Sequence, residues 1–258
     1  MTARPSEVTV VTGASSGIGA AVARRLAARG NLVVLLARRE DRLRALAEEL
    51  GGEYEVCDVG HRTEVERVAA AVIERHPSIA LLVNNAGIPG RTTFFGANPE
   101  RIEETSRVNY LGAVWCLRAF LPALEARAPA DVVNVVSVAG TIAFPPGGPY
   151  AATKHAQLAF SRAAAAELRA RGVRVHTVLP GFVETEGFPQ RTRHRSSLVQ
   201  RLVIEPEDAA KAILRAIDRD RRELYVPHFY RAAALVQALA PNLLARYLAV
   251  RGNRIRPT

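Results

Sequence analysis

The sequence predicts a single α/β domain built on an open parallel sheet that is doubly wound, with helices on both faces. Three observations predict it. Short apolar, β-branched runs alternate with helical patterns from Val8 to about Val178. The first run passes straight through a glycine-rich turn into a helix. The polar motifs cluster at the carboxyl ends of the strand-like runs, and in an open parallel sheet those ends line one crevice.

The elements follow in order. Val8–Val11 is the first strand, Thr12–Gly19 the turn, and the helix runs on to Arg29 with Gly30 as its C-terminal cap. Strand, glycine turn and helix N-terminus form the unit in which backbone N–H groups meet a pyrophosphate. Gly13, Gly17 and Gly19, with Ser15, Ser16 and Ile18 between them, are the candidates for that contact. Their spacing is G-x-x-x-G-x-G, and a plain tight turn is the alternative reading.

Leu32–Leu36 is the second strand, and it ends in Ala37-Arg38-Arg39. A dinucleotide fold that binds a ribose 2′-hydroxyl carries an acidic residue there. An alanine followed by two guanidinium groups suits a 2′-phosphate instead, so NADP is expected over NAD, with Arg38 as the main ligand. Arg39 is expected chiefly to start the helix Glu40–Leu50. A third strand, Glu53–Cys57, leads to Asp58 and Val59, and a helix from about Thr63 to Arg75 follows. The fourth strand, Ile79–Val83, ends in Asn84-Asn85-Ala86-Gly87. A long helix spans roughly Pro99 to Ala126 with Asn109 in its middle, where asparagine is unfavourable and signals a polar task or a kink. The fifth strand, Val132–Val136, delivers Ser137; a proline- and glycine-rich loop then leads to an alanine-rich helix near Tyr150. Gly172 caps that helix, and the sixth strand, Val173–Val178, ends in Leu179-Pro180-Gly181.

The chemistry concentrates in Ser137, Tyr150 and Lys154. Positions four apart share a helix face, so Tyr150 and Lys154 point the same way. A free phenol titrates near pH ~10; a cation one turn away is expected to lower that value and let the tyrosine exchange protons near neutral pH. A hydroxyl opposite it can hydrogen-bond the same substrate oxygen. Lys154 and Lys211 are the two lysines among 35 basic residues. A chain that uses arginine almost everywhere keeps lysine where a compact, tunable ammonium suits the task.

Composition bounds the rest. With 258 residues, 48% hydrophobic and 23% charged, the chain supports one ample core. It shows no signal segment and no apolar run able to span a bilayer. Cys57 and Cys116 read as buried packing residues in a reducing, cytoplasmic setting. The net charge of +10 raises nucleic acid as a partner, but the arginines are scattered on helical faces without interleaved aromatics, which does not suit a nucleic-acid binder.

The motifs together resemble the short-chain dehydrogenase/reductase family. T-G-x-x-x-G-I-G at Thr12–Gly19, N-N-A-G at Asn84–Gly87, Asn109, Ser137, Y-x-x-x-K at Tyr150–Lys154 and P-G-x-V-x-T at Pro180–Thr185 match its order and spacing over about residues 7 to 225. The resemblance implies a Rossmann sheet of about seven strands and hydride transfer at a nicotinamide, reducing a ketone or aldehyde or running the reverse. It implies Tyr150 as general acid/base, Ser137 orienting the substrate oxygen, and Lys154 binding the nicotinamide ribose and lowering the pKa of Tyr150. Asn109 would kink its helix and hold a proton-relaying water. Gly13, Gly17 and Gly19 would cradle the pyrophosphate, Asp58 and Val59 meet the adenine, and Asn84, Ala86 and Gly87 lie along the adenosine ribose side. Pro180, Gly181, Val183 and Thr185 would hold the carboxamide end. Many NADP-preferring members carry a basic residue inside the glycine loop; Ser15 and Ser16 stand there, leaving the 2′-phosphate mainly to Arg38. The partner is expected to be a small carbonyl or alcohol substrate, and the assembly a homodimer or homotetramer. An acyl-thioester (3-oxoacyl) reductase and a catalytically idle NADP-binding module are the competing functions.

Residues 1–227 form the expected catalytic domain and 228–258 a helical extension. Where the family's acyl-carrier-protein reductases end in a glycine-rich strand segment, this chain reads Glu223-Leu-Tyr-Val-Pro227 and continues to Thr258. Two short helices are expected in that extension, the second begun by Pro241, packed on the domain or on a partner subunit, with an anionic membrane surface as the alternative. The segment Glu184–Ile204 is expected to form the lid that selects substrate.

Overall fold

The structure, a computed structural model, describes residues 7–90, 93–143, 147–192 and 200–242. Its sheet contains β1 (Val8–Thr12), β2 (Leu32–Ala37), β3 (Glu53–Val56), β4 (Leu81–Asn84), β5 (Ala130–Val135), β6 (Val173–Pro180) and β7 (Glu223–Val226). Every pairing is parallel, in the order β3-β2-β1-β4-β5-β6-β7. The order reverses between β1 and β4, where Val10 faces Val34 on one side and Leu82 on the other. That reversal opens the crevice at the carboxyl ends.

The buried strands are apolar on both faces because helices cover both. Val10, Val34 and Val132 join one core layer with Val68, Val72, Phe120 and Leu124. Their chain neighbours Val11, Val33 and Val133 join the opposite layer with Leu26, Leu43 and Ile213. This is the two-residue alternation of a strand, read out as two cores. Each fully buried Leu or Phe contributes roughly 1.5–3 kcal/mol to holding the layers together. α1 (Gly17–Ala27), α2 (Glu40–Leu50) and α7 (Pro206–Asp218) lie on one face. α3 (Arg62–Arg75), α5 (Gly112–Arg127) and α6 (Gly148–Leu168) lie on the other.

The long helix around Asn109 is divided. α4 (Pro99–Ser106), capped by the Asn98 side chain on Glu100 N–H at 3.0 Å, passes through a π turn at Arg107–Leu111 into α5. Asn109 sits inside the π turn, so the irregularity its position predicted is a widened turn. β6 runs two residues past the expected Val178, because Pro180 still pairs with Val226 of β7.

The scattered arginines are largely engaged at the surface, as in Arg24–Glu49 and Arg29–Asp218, pairs worth about 0–1 kcal/mol each. Of the loop arginines, Arg191 pairs with Glu205 at 2.5 Å, and Arg193 and Arg195 lie outside the described residues. The extension begins with α8 (Tyr230–Leu239), and helical geometry resumes at Pro241; the rest of the expected second helix lies outside the described residues. Tyr230 packs edge-on against Phe182, ring centroids 6.4 Å apart, while Leu235, Val236 and Leu239 are exposed. Among the described residues no helix is long and apolar enough to cross a membrane.

Candidate active site

One cavity of about 560 Å³ runs along the carboxyl ends of the strands. Its lining begins at Arg38, Arg39, Asp58 and Val59, passes Gly13, Ser15, Ser16, Gly17 and Ile18, and reaches Ser137, Tyr150 and Lys154 beside Pro180, Gly181, Val183 and Thr185. Ala86 and Gly87 form part of the same wall.

The glycine turn is shaped for an anion. Ser16, extended at φ −169°, stands before α1 and makes no side-chain cap, and the first turn of α1 carries no acidic residue. Its first backbone N–H groups therefore have neither a side-chain acceptor nor a carboxylate to satisfy them, and Ser16, Gly17 and Ile18 line the cavity. Gly17 holds φ +56°, the left-handed conformation that favours glycine. Gly19 plays a different part from the one expected. It does not line the cavity; a Cβ there would stand 2.3 Å from the Gly13 carbonyl oxygen, so it lets helix and turn close on each other beneath the site.

Thr12 joins β1 to the segment after β4. Its hydroxyl accepts from Asn85 N–H at 3.0 Å and Ala86 N–H at 3.1 Å, and donates to the Val83 carbonyl at 3.2 Å. Here the expectation for Asn84 fails. Its side chain is buried away from the cavity, donating to Asn134 Oδ1 at 2.9 Å, and Asn134 in turn donates to Ser161 Oγ. Ser161 bonds Thr177 at 2.7 Å, so a buried polar chain ties α6 to β4, β5 and β6. Ser161 lies seven residues after Lys154 on the same helix face, and this chain therefore fixes how α6 presents Tyr150 and Lys154. Asn85, which sequence reasoning passed over, is the cavity residue; it donates to the carbonyls of Thr12 and Gly13 at 3.0 and 3.3 Å. Strand alternation carried the signal, since adjacent side chains cannot both face the cleft.

Asn109 also stands off the cavity wall. Its Oδ1 accepts from Ile88 N–H at 2.7 Å, and its Nδ2 donates to Ile88 O at 2.9 Å and Thr153 Oγ1 at 3.3 Å. The π turn thus clamps the chain just past Gly87 and braces α6.

Ser137 follows β5, its Oγ accepting from Ala139 N–H at 3.1 Å and donating to the Pro180 carbonyl at 3.4 Å. Tyr150 lies in the first turn of α6 and is hydrogen-bonded by the Ser137 side chain. Lys154 is 3% exposed, with Nζ 5.8 Å from the centre of the Tyr150 ring. The expected electrostatics are reversed. Burial pushes the Tyr150 phenol up to about 12, with the Ser137 hydrogen bond pulling the other way, and burial pushes Lys154 down to about 7. Desolvation outweighs the attraction between a phenolate and an ammonium whose own charge is disfavoured there. Both shifts favour the uncharged forms of the pair.

Arg39 does more than begin α2. Its guanidinium donates to Ser15 Oγ at 3.0 Å and Ser16 Oγ at 2.7 Å, placing a cation against the glycine turn where the sequence has none. Arg38 stands 3.6 Å from Asp58, an open ion pair on the neighbouring wall. Glu186, from the segment after β6, sits on Arg39 at 3.2 Å and also pairs with Arg42. The same segment is folded by Glu184, whose Oε2 accepts from Gln190 and Arg191 N–H, both at 2.9 Å. That fold carries Phe188 onto Tyr150, ring centroids 5.7 Å apart. Phe188, in the segment expected to select substrate, lines the cavity, and Gln190 is a further cavity residue that the sequence did not single out. Cys57 and Cys116 are buried thiols; burial pushes Cys57 up to about 12 and raises Cys116 further, which makes both inert.

Known proteins resemble this chain in sequence and fold. The family model for short chain dehydrogenases matches residues 7–196. A putative ketoacyl reductase of Streptomyces coelicolor is 37% identical over 209 residues, covering 77% of this chain and 78% of the relative. The solved structure of a short chain dehydrogenase from Burkholderia cenocepacia in complex with NADP is 30% identical with a TM-score of 0.80, covering 94% of this chain and 97% of that one. A short chain dehydrogenase/reductase from Burkholderia phymatum in complex with NAD is 26% identical with a TM-score of 0.82, covering 95% and 97%. A seven-stranded parallel sheet, a glycine turn at its switch point and a serine, tyrosine and lysine gathered at its carboxyl edge accord with that match, and the chain belongs to the short-chain dehydrogenase/reductase family of oxidoreductases.

Proposed function

We propose that the protein is an NADP(H)-dependent reductase of ketones or aldehydes, running the alcohol oxidation in reverse. The observation that carries this reading is the meeting of Ser137, Tyr150 and Lys154 in one cavity continuous with the glycine turn. The bare N-terminus of α1, the left-handed Gly17 and the serine hydroxyls fit a pyrophosphate, and Arg38 and Arg39 fit a 2′-phosphate at the adenosine end. When bound, the nicotinamide cofactor supplies the hydride. The chain's own residues do the rest. Ser137 hydrogen-bonds the substrate oxygen and holds it against Tyr150. Tyr150, with its phenol kept protonated by burial, donates that proton as negative charge builds on the oxygen. Lys154 holds the ribose and stabilises the phenolate left behind. Phe188 closes over Tyr150 and excludes water from the reacting oxygen.

An acyl-thioester substrate is the second reading, supported by the similarity to the S. coelicolor ketoacyl reductase. A panel of ketones, aldehydes and 3-oxoacyl thioesters with NADPH and NADH, followed by absorbance, separates these substrates. Tyr150→Phe should lower turnover by about 10²–10⁴ while leaving the NADPH dissociation constant unchanged. Near-normal turnover in that variant refutes the role given to Tyr150, and no turnover with any substrate favours an idle cofactor-binding module.

A further inference from the structure

Lys154 is a buried amine, and among the described residues no carboxylate accompanies it. From its own helix the titratable group facing it is the Tyr150 phenol. β5 offers the Val135 carbonyl, 3.2 Å from Nζ, and Gly87 and Asn109 beyond it are uncharged. Burial is what acts on the amine among the described residues. One further polar atom reaches it. Gln157 Oε1 accepts from Nζ at 2.7 Å, and Gln157 is 1% exposed. The contact follows from the helix, since residues three apart share a face, and Gln157 lies on the face that carries Tyr150 and Lys154.

We propose that Gln157 is a positioning residue for the active site, its carboxamide oxygen orienting the Lys154 ammonium beside Tyr150 and stabilising its charged form. An ammonium has three N–H donors. With two directed to Gln157 and Val135, the third side of Nζ is turned towards Gly87, whose Cβ position lies 3.9 Å away, and towards the Tyr150 ring. A hydrogen bond to the charged form favours that form, and with no counter-ion among the described residues a carbonyl dipole does so here. The inference rests on the assignment of Lys154 to proton handling beside Tyr150.

The chain's two lysines make a direct test possible. Full-length protein labelled with ¹³C-lysine should give two side-chain signals, Lys211 serving as an exposed internal control and Lys154→Met assigning the buried one. Loss of one charged-group hydrogen bond should weaken proton binding at Lys154 by about tenfold or more in Gln157→Leu. Gln157→Glu, which places a carboxylate at the same distance, should strengthen it. The alkaline limb of kcat/KM for NADPH-dependent reduction should move with the titration, to lower pH in Gln157→Leu and higher pH in Gln157→Glu. A merely structural role predicts no such opposed displacement. Should Gln157→Leu fail to fold, Gln157→Met takes its place against Gln157→Glu. An unchanged Lys154 titration in folded variants overturns the proposal. Undiminished turnover in Lys154→Met with the titration shifting as described refutes the assignment of Lys154 and leaves the positioning intact.

Discussion

Replacing Lys154 by methionine should make the protein more stable as it removes turnover. The amine is 3% exposed, and burial lowers it from an ordinary 10.5 to about 7. In the unfolded chain it is solvated and charged, so that gap corresponds to about 5 kcal/mol of lost stability at low pH. Methionine fills much of the same volume without charge. Against this, the Gln157 and Val135 oxygens lose their donor, a loss of roughly 1–3 kcal/mol. The net expectation is a gain of about 2–4 kcal/mol at pH ~6. The sign of the pH dependence follows from proton counting. Above about 7 the folded protein has released a proton that the unfolded lysine keeps until about 10.5, so wild-type stability rises across that window. Below about 7 both states are protonated and the deficit is constant. Urea unfolding followed by circular dichroism, kept below the ordinary tyrosine value of 10, measures both variants. The advantage of Lys154→Met should be largest on the acid side and shrink as pH rises. A variant less stable than wild type at pH ~6, or an advantage that does not change with pH, refutes the reasoning.

Three further outcomes are expected. Arg38→Ala should remove most of a preference for NADPH over NADH of about ten- to a hundredfold, read as dissociation constants by fluorescence; equal constants in the unmodified protein would count against the 2′-phosphate assignment. Glu186→Gln frees Arg39 and Arg42 from a competing carboxylate, so NADPH should bind about two- to fivefold tighter with NADH unchanged, and weaker NADPH binding would mean that Glu186 instead holds Arg39 in place. Gly181→Ala puts a Cβ 2.1 Å from the Tyr230 ring and should destabilise the protein by about 1–3 kcal/mol in thermal unfolding. The same change should be nearly neutral in a Tyr230→Ala background, and equal cost in both backgrounds would show that the clash lies elsewhere.

What the sequence determined by itself was whatever short stretches of chain decide. Val8–Val11 followed by glycines and a helix specifies its strand, turn and helix within about twenty residues, and the structure places β1, the turn and α1 there. Tyr150 and Lys154 share a face because a helix sets i and i+4 together, and Ser137 is delivered by the strand that precedes it. Asn109 announced an irregular helix because asparagine competes with the helical backbone wherever it stands. The tertiary structure decided what depends on approach between distant segments. Whether Asn84 or Asn85 faces the cleft turns on which face of β4 the helices cover, and a strand's alternation gives the choice without its sign. Arg39 meets Ser15 and Ser16 across the sheet edge, and Glu186 reaches it from 147 residues away. The acidity of the pair was the most consequential of these. One-turn spacing predicts a depressed phenol, but burial by the surrounding chain raises Tyr150 and lowers Lys154. Desolvation is a property of everything packed around a group, and no local pattern of residues records it.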